Sequence, residues 1–205
     1  MFNARLQNGL TLQAGTSTGK TTQDNCEIVA KLPEMNLLSA NSTTFPATAS
    51  NVWRPAQFCP EESPFQTQFK GYGVYTIPRV DVQVSGMFRS TPASPVMANF
   101  VATNAVLATS STLGRALSGN VANMTVALLS PEQTLEGYIP RRNELDLRFG
   151  KILRVGRTRN VISLDLFNAL NSDALISVNQ NFATWQRPTE ILNARLMKIS
   201  YSVSF

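Results

Sequence analysis

MKISYSVSF, the stretch from Met197 to Phe205, alternates apolar and polar residues without a break. Successive side chains of a β-strand point to opposite faces, so its apolar residues share one face, while Lys198 and the serines share the other. A tilted strand that crosses a membrane needs about 9–11 residues. The stretch therefore predicts an amphipathic strand of membrane-spanning length.

Composition narrows the class of protein. The chain has 205 residues, of which 43% are hydrophobic and 15% charged. It is long enough for one all-β domain and too apolar for a disordered tail. No run approaches the roughly 18 apolar residues that a spanning helix requires. We therefore expect strands to carry out any membrane crossing.

The charge pattern gives no support for nucleic-acid binding. The net charge is +5, but a nucleic-acid interface gathers basic residues on one face or along one helix. Here they are scattered, with local concentrations only at Arg141-Arg142 and at 154–159. Both lie beside predicted strand ends, where solvated turns explain them. We expect no nucleic-acid partner.

Alternation like that of the terminal stretch recurs in pairs of segments separated by short turns. The pairs predict three hairpins and leave one unpaired strand at the end. The hairpins are predicted at 1–18 with a turn at Asn8-Gly9, at 64–90 with a break at Pro78-Arg79, and at 143–171 with a turn at 156–159, and the final strand at 190–205. In the second hairpin, Val80, Val82, Val84 and Phe88 are predicted to form one apolar stripe.

Long connections separate the hairpins, at 19–63, 91–142 and 172–189, against a usual median of about 4–6 residues. Strict alternation of short turns and long loops is typical of a membrane-spanning barrel. An additional strand outside the membrane is predicted at 123–129. The fold prediction is all-β: an antiparallel meander of about seven or eight strands over the single segment 1–205, part of a transmembrane β-barrel.

Charged residues of the third hairpin are expected on its lumen-facing side. Asp146 and Asp165 are predicted to face each other across this hairpin, with Arg148 nearby. Such carboxylates are either a catalytic pair or part of a solvated wall. Because the chain has no His, it lacks the usual general base and the commonest metal ligand. We predict no catalytic, cofactor-binding or metal-ligating residue and no enzyme activity.

Cys26 and Cys59 are the two cysteines of the chain. They either form a disulfide or are two unrelated buried thiols. The even number and the long polar stretch without His between them favour a disulfide in an oxidising compartment over metal ligation. The amino terminus, however, shows no basic segment followed by an apolar one, as a signal peptide would. Either the protein is not exported or the chain is a fragment.

Several segments, taken together and in order, resemble the carboxy-terminal part of TonB-dependent outer-membrane receptors. The resemblance is to the subfamily with a carboxypeptidase-regulatory-like domain before the plug, and it covers nearly the whole chain. The segments that carry it are 3–9, 24–26, 75–85, 143–154, 165–172, 185–188 and 194–200, with the terminal Phe205.

The resemblance implies a function and a location. Receptors of this family form a barrel of about 22 strands around a plug and take up a scarce solute with energy from an inner-membrane partner. It implies the outer membrane of a Gram-negative bacterium as the location, with outer-membrane lipid, the remaining barrel and plug, and an unidentified solute as partners. Tyr201, Val203 and Phe205 resemble the terminal signal that the outer-membrane assembly machinery recognises.

The chain departs from this family in three respects, because nothing in it matches a signal peptide, a plug or the short box that the inner-membrane partner grips. We therefore expect a carboxy-terminal fragment that is not transport-competent alone. The alternative is a small self-contained β-barrel or a soluble β-sandwich that serves as a binding or structural module. These two hypotheses differ in whether the first and last strands pair with each other.

A more remote alternative is a P-loop nucleotide binder, since residues 14–21 (AGTSTGKT) fit a relaxed P-loop spelling. A true P-loop is followed at once by a helix, whose N-terminus and Lys hold phosphates. The residues after Thr21 have neither the periodicity nor the composition of a helix. A Thr-rich strand that emerges into a loop explains the segment equally well.

Overall fold

A computed structural model describes residues 1–6, 9–33, 52–92, 95–110, 114–117, 122–129 and 139–204 of the chain. The strands are β1 (Phe2–Arg5), β2 (Leu10–Gly19), β3 (Thr22–Asp24), β4 (Val52–Trp53), β5 (Pro60–Glu62), β6 (Gln66–Ile77), β7 (Val82–Thr91), β8 (Ala98–Thr103), β9 (Asn123–Leu129), β10 (Arg142–Val155), β11 (Thr158–Phe167), β12 (Leu175–Val178), β13 (Pro188–Ile191) and β14 (Leu196–Ser204). Two short helices, α1 (Cys26–Lys31) and α2 (Asn104–Ser110), and 3₁₀ turns at Ala56–Phe58 and Phe182–Thr184 lie between them. The all-β prediction is confirmed.

Seven strands form the main sheet in the described part of the chain, in the order β1-β2-β6-β7-β10-β11-β14. Every neighbouring pair is antiparallel, as the meander prediction requires. The outer edges of β1 and β14 do not pair with each other among the described residues, and no closed barrel is found.

The short turns all lie at one end of the sheet, and they differ in detail from the predicted turns. In the first hairpin the Gly9 amide donates to the Leu6 carbonyl at 3.1 Å, and Gly9 has φ +85°; Asn8 lies outside the described residues. This is the arrangement of a G1 bulge, in which Gly supplies the left-handed residue. Gly156, at φ +59°, begins a turn of only two residues, since Val155 already pairs with Thr158.

Val80 was predicted to lie on the apolar stripe of β7, and this prediction is wrong. β7 begins at Val82, and Val80 lies in the turn at 78–81, where its side chain is half exposed. Arg79 and Asp81 in this turn adopt φ +72° and +49°. The chain therefore needs the four residues 78–81, and not a two-residue break, to reverse between Ile77 and Val82.

The long connections lie at the other end and contain small sheets of their own. β3 pairs with β5, β12 pairs with β13, and β9 lies between β8 and β4. The additional strand predicted at 123–129 is confirmed as β9, with the predicted bounds. The final strand begins at Leu196 and not at 190, because Pro188–Ile191 pairs with β12 instead. No described helix is long and apolar enough to cross a membrane.

The buried apolar side chains lie mainly in these connections and not on the main sheet. Nearly all of them belong to two groups, one around the disulfide and one around β8 and β9. They are Val29, Phe58, Cys59, Val96, Ala98, Ala102, Ala127 and Ile139, with Ile152 alone from the main sheet. The apolar side chains of the main sheet are therefore left without a covering layer in the described structure.

Candidate functional site

The strand register sorts the main sheet into an apolar face and a polar face. Residues paired across antiparallel strands project to the same side, so a row can be followed from strand to strand. One apolar row is Leu10, Tyr75, Val84, Phe149, Leu164 and Ile199. The next row, on the opposite face, is Thr11, Val74, Ser85, Arg148, Asp165 and Lys198.

Exposure on the two faces is the reverse of that in a soluble sheet. Ile199 is 78% exposed on the apolar face, whereas Ser163 is 2% and Asp165 8% exposed on the polar face. A soluble antiparallel sheet buries its apolar face and hydrates its polar one. Crowding on the polar side is expected of a sheet that curls around that side.

A hydrogen-bonded network occupies the polar face between β10, β11 and β14. Arg148 Nε lies 3.4 Å from Asp165 Oδ1, and its guanidinium also donates to Ser163 Oγ at 3.0 Å. Ser200 Oγ donates to Asp165 Oδ2 at 3.1 Å. The buried Asp165 carboxylate is thereby satisfied from two neighbouring strands.

Asp146 shares this face with Arg148 and Asp165, but it does not face Asp165. The register pairs Asp165 with Arg148, and Asp146 with Met87. Asp146 instead accepts a hydrogen bond from the Asn168 amide at 2.9 Å. The predicted pair of facing carboxylates is therefore wrong, because the two-residue turn sets a register that places a guanidinium opposite Asp165.

A second charged group lies on the same face nearer the long connections, and sequence reasoning missed it. Glu144, which is 7% exposed, lies 2.6 Å from Arg89 Nη2 and 2.9 Å from Arg142 Nε. Lys70 is the partner of Arg89 across the β6–β7 ladder. Alternation of charged and apolar residues in β10 could have indicated this group. The sequence prediction instead places Arg141-Arg142 in a solvated turn.

A cavity of about 510 Å³ opens on this part of the polar face. Its lining includes Gln13, Gln68, Lys70, Tyr72, Met87 and Arg89. A second cavity, of about 420 Å³, shares Ser17 and Gln68 with the first and extends to Lys20 and Ser63 at the end of the long connections. The two cavities therefore adjoin at Ser17 and Gln68.

Cys26 and Cys59 form a disulfide, as predicted, with their Cα atoms 4.9 Å apart. It links α1 to the 3₁₀ turn at Ala56–Phe58, above a small core that contains Val29 and Phe58. Arg54 is buried beside it, donates to the Phe58 carbonyl at 3.2 Å and pairs with Glu61. The disulfide therefore stabilises the first long connection.

The segment that resembles a P-loop is extended. Residues 14–19 belong to β2 and pair with β6, and Lys20 forms an ion pair with Glu62. Within 9–33 the first helix begins at Cys26. Backbone amides committed to a ladder cannot surround a phosphate as those of a P-loop do.

The sequence also predicts an interfacial aromatic girdle of Tyr72, Tyr75, Trp185 and Tyr201, with a loop position as an equal alternative for Trp185. In the structure these residues lie in three different places. Tyr75 and Tyr201 lie on the apolar face near the short turns, and the Tyr201 hydroxyl donates to Asn160 Oδ1 at 2.7 Å. Tyr72 lies on the polar face, so its assignment to a girdle is wrong. Trp185 belongs to a connection, where its indole donates to the Met97 carbonyl at 3.2 Å.

The terminal signal residues are placed only in part. Tyr201 and Val203 share the apolar face of the edge strand β14, and Phe205 lies outside the described residues. In the described part of the chain, no three His, Cys, Asp or Glu side chains gather closely enough to hold a metal ion.

Comparison of the chain with protein-family models, with curated proteins and with solved structures finds no match in any of the three. The resemblance of the sequence to TonB-dependent receptors therefore stays a prediction.

Proposed function

We propose that this chain is the carboxy-terminal barrel segment of a TonB-dependent outer-membrane receptor, which takes up a solute with energy from an inner-membrane partner. The observation that carries the proposal is the apolar face of the seven-stranded sheet, which is continuous from β2 to β14 and exposed. In a soluble protein so large an exposed apolar surface would favour aggregation. Against lipid it is the stable arrangement.

Strand lengths and connections support the same proposal. β6 has 12 residues, β10 has 14, and β2, β7 and β11 have 10 each; a spanning strand needs about 9–11 residues. The short turns would lie on the periplasmic side and the structured connections outside, as in bacterial outer-membrane barrels. The disulfide in the first connection suits that oxidising side of the membrane.

The two open edges favour a segment of a larger barrel over a self-contained one. In lipid every backbone polar group needs a partner, and the outer edges of β1 and β14 have none in the described sheet. Further strands of the same receptor would supply these partners, with a plug against the polar face. The assembly machinery of the outer membrane and outer-membrane lipid are the other proposed partners. A β-sandwich would cover the apolar face, whereas here the buried apolar side chains lie in the connections.

The proposal is tested with two nitroxide labels on adjacent residues of β14. One label is attached to Ile199→Cys and the other, in a separate variant, to Lys198→Cys. Ile199 and Lys198 are both exposed and lie on opposite faces, and the native cysteines are kept as the disulfide. The full chain is refolded into phosphatidylcholine and phosphatidylglycerol vesicles, and collisions with oxygen and with a water-soluble nickel complex are measured. We expect the Ile199 label to meet oxygen and the Lys198 label to meet nickel.

The matched pair makes the outcome decisive. Both variants introduce one cysteine on the same strand, so differences in labelling or folding affect them alike. If nickel reaches both labels equally in vesicles, neither face is in lipid and the proposal is overturned.

A further inference from the structure

Two like charges face each other across the β6–β7 ladder of the polar face. Lys70 and Arg89 are directly paired residues, an arrangement that costs stability when nothing compensates for it. Arg89 contacts Glu144, but Arg142 contacts the same carboxylate. Two cations thus share one carboxylate, and Lys70 adds a third positive charge beside Arg89.

The excess charge borders the cavity of about 510 Å³. No carboxylate lines this cavity, and the Lys70 ammonium makes no ion pair or hydrogen bond with the described part of the chain. The Nε of Arg89 is buried without a hydrogen-bond partner among the described residues. The Lys70 ammonium is therefore available to an anion that enters the cavity. The Arg89 side chain beside it is 41% exposed, although its Nη2 already pairs with Glu144.

The remaining lining limits the shape of the ligand. Tyr72 and Met87 are paired with each other on the same face, two positions along the strands from Lys70 and Arg89, and give an apolar surface beside the two cations. Gln13 and Gln68 add amide groups at the sides. A volume of this size lies within the range of about 300–1,000 Å³ that is typical of small-molecule sites.

We propose that this cavity binds a small carboxylate-bearing solute with an apolar or aromatic body. The carboxylate lies between Lys70 and Arg89, where an ammonium and a guanidinium donate charge-assisted hydrogen bonds. The body lies against Tyr72 and Met87. As the solute site of a receptor this inference rests on the proposed function, whereas binding itself requires only the folded sheet.

The test measures binding of 4-hydroxybenzoate to the full chain in nonionic micelles by saturation-transfer NMR, with 4-hydroxybenzamide as the neutral isostere. Lys70→Gln removes one charge-assisted hydrogen bond, so we expect a dissociation constant about tenfold higher or more. Lys198→Gln removes the same charge elsewhere on the polar face and is expected to change binding less than about twofold. The benzamide should bind at least about tenfold more weakly than the benzoate.

A folding control separates loss of the site from loss of the protein. Lys70→Gln relieves the repulsion with Arg89, so its unfolding midpoint should equal or exceed that of the unchanged chain. Equal binding of the amide and the acid, or an unchanged affinity in Lys70→Gln, overturns the proposal. Absence of benzoate binding by a folded chain also overturns it.

Two further outcomes distinguish this site from the proposed function and from another occupant. If benzoate binds as expected but the Ile199 label meets nickel in vesicles, the site stands and the receptor proposal fails. If a tetraglutamate peptide binds more tightly than benzoate, the face is a docking surface for an acidic protein segment, and the small-solute site is overturned.

Discussion

Asn168 shows how one side chain can hold two strands of the sheet in place. It is 6% exposed, has φ +48°, and directly follows β11. Its side-chain amide donates to the carbonyls of Ser172 and Asn193 at 2.9 and 2.8 Å, and its oxygen accepts from the Ser172 amide at 2.9 Å. Since Asn193 lies shortly before β14, these bonds fix where the chain re-enters the sheet.

Replacing Asn168 should therefore destabilise the chain through two separable effects. Asn168→Ala loses the three hydrogen bonds and strains the left-handed backbone, and we expect a loss of about 2–4 kcal/mol in the free energy of unfolding. Asn168→Gly loses the bonds without the strain and should be about 1 kcal/mol less damaging. Urea unfolding of the full chain in micelles measures both.

The control for these variants is Asn3→Ala, which alters an exposed residue of β1 and should change stability by less than about 0.5 kcal/mol. Equal stability of Asn168→Ala and Asn168→Gly would show that the positive φ contributes nothing to their difference.

Among the elements, the β3–β5 pair and α1 depend on the disulfide more than on their own interactions. β3 and β5 pair at three positions, and α1 has six residues, whereas isolated helices shorter than about 12–15 residues are marginal in water. The disulfide joins residues 33 apart in sequence. In the chain-entropy description, a disulfide that closes a loop of this length stabilises the folded state by about 3–4 kcal/mol.

Removal of the disulfide should consequently loosen the first connection and leave the main sheet intact. In a Cys26→Ser, Cys59→Ser double variant we expect faster hydrogen exchange at the amides of residues 22–24 and of Glu61 and Glu62. Exchange in β10, and in the separate β12–β13 pair, should stay within about twofold. Uniformly faster exchange in all three regions would contradict a local role.

At the scale of the molecule, the two faces of the main sheet set its environment. The apolar row through Leu164 has no covering layer in the described structure, while the row through Arg148 and Asp165 is hydrogen-bonded. In the proposed receptor, one sheet would thus separate lipid from a hydrated space. Its open edges at β1 and β14 would then require additional strands in the lipid.

A charge on either face distinguishes these environments. Leu164→Arg places a guanidinium on the apolar face and should destabilise the chain in lipid vesicles by about 2–4 kcal/mol. Ser202→Arg, on the polar face of the adjacent strand, should cost less than about 1 kcal/mol. Urea titration of vesicle-bound chains measures both, and similar losses in the two variants would contradict a lipid-facing role for the row.

The sequence was sufficient for the features that depend on local alternation. The strict period of two over Leu145–Phe149 and Met197–Val203 placed each side chain on the correct face, and β9 was predicted with its observed bounds. It was not sufficient at turns, where Val80 and Gly156 show that one or two residues decide the length of a reversal. The charged group of Lys70, Arg89 and Glu144 was missed because its members lie on three strands and are up to 74 positions apart in the sequence.

Alternation, hairpin order and cysteine number, all local or compositional, were thus enough to determine an all-β meander with two unlike faces and a disulfide. Only the tertiary structure decided that Arg148 and not Asp146 faces Asp165, that Lys70 faces Arg89, and that β1 and β14 do not pair with each other among the described residues. The physical reason is that strand register follows from turn geometry and closure from pairing between distant strands. The period of two in MKISYSVSF is the same whichever strand lies beside it.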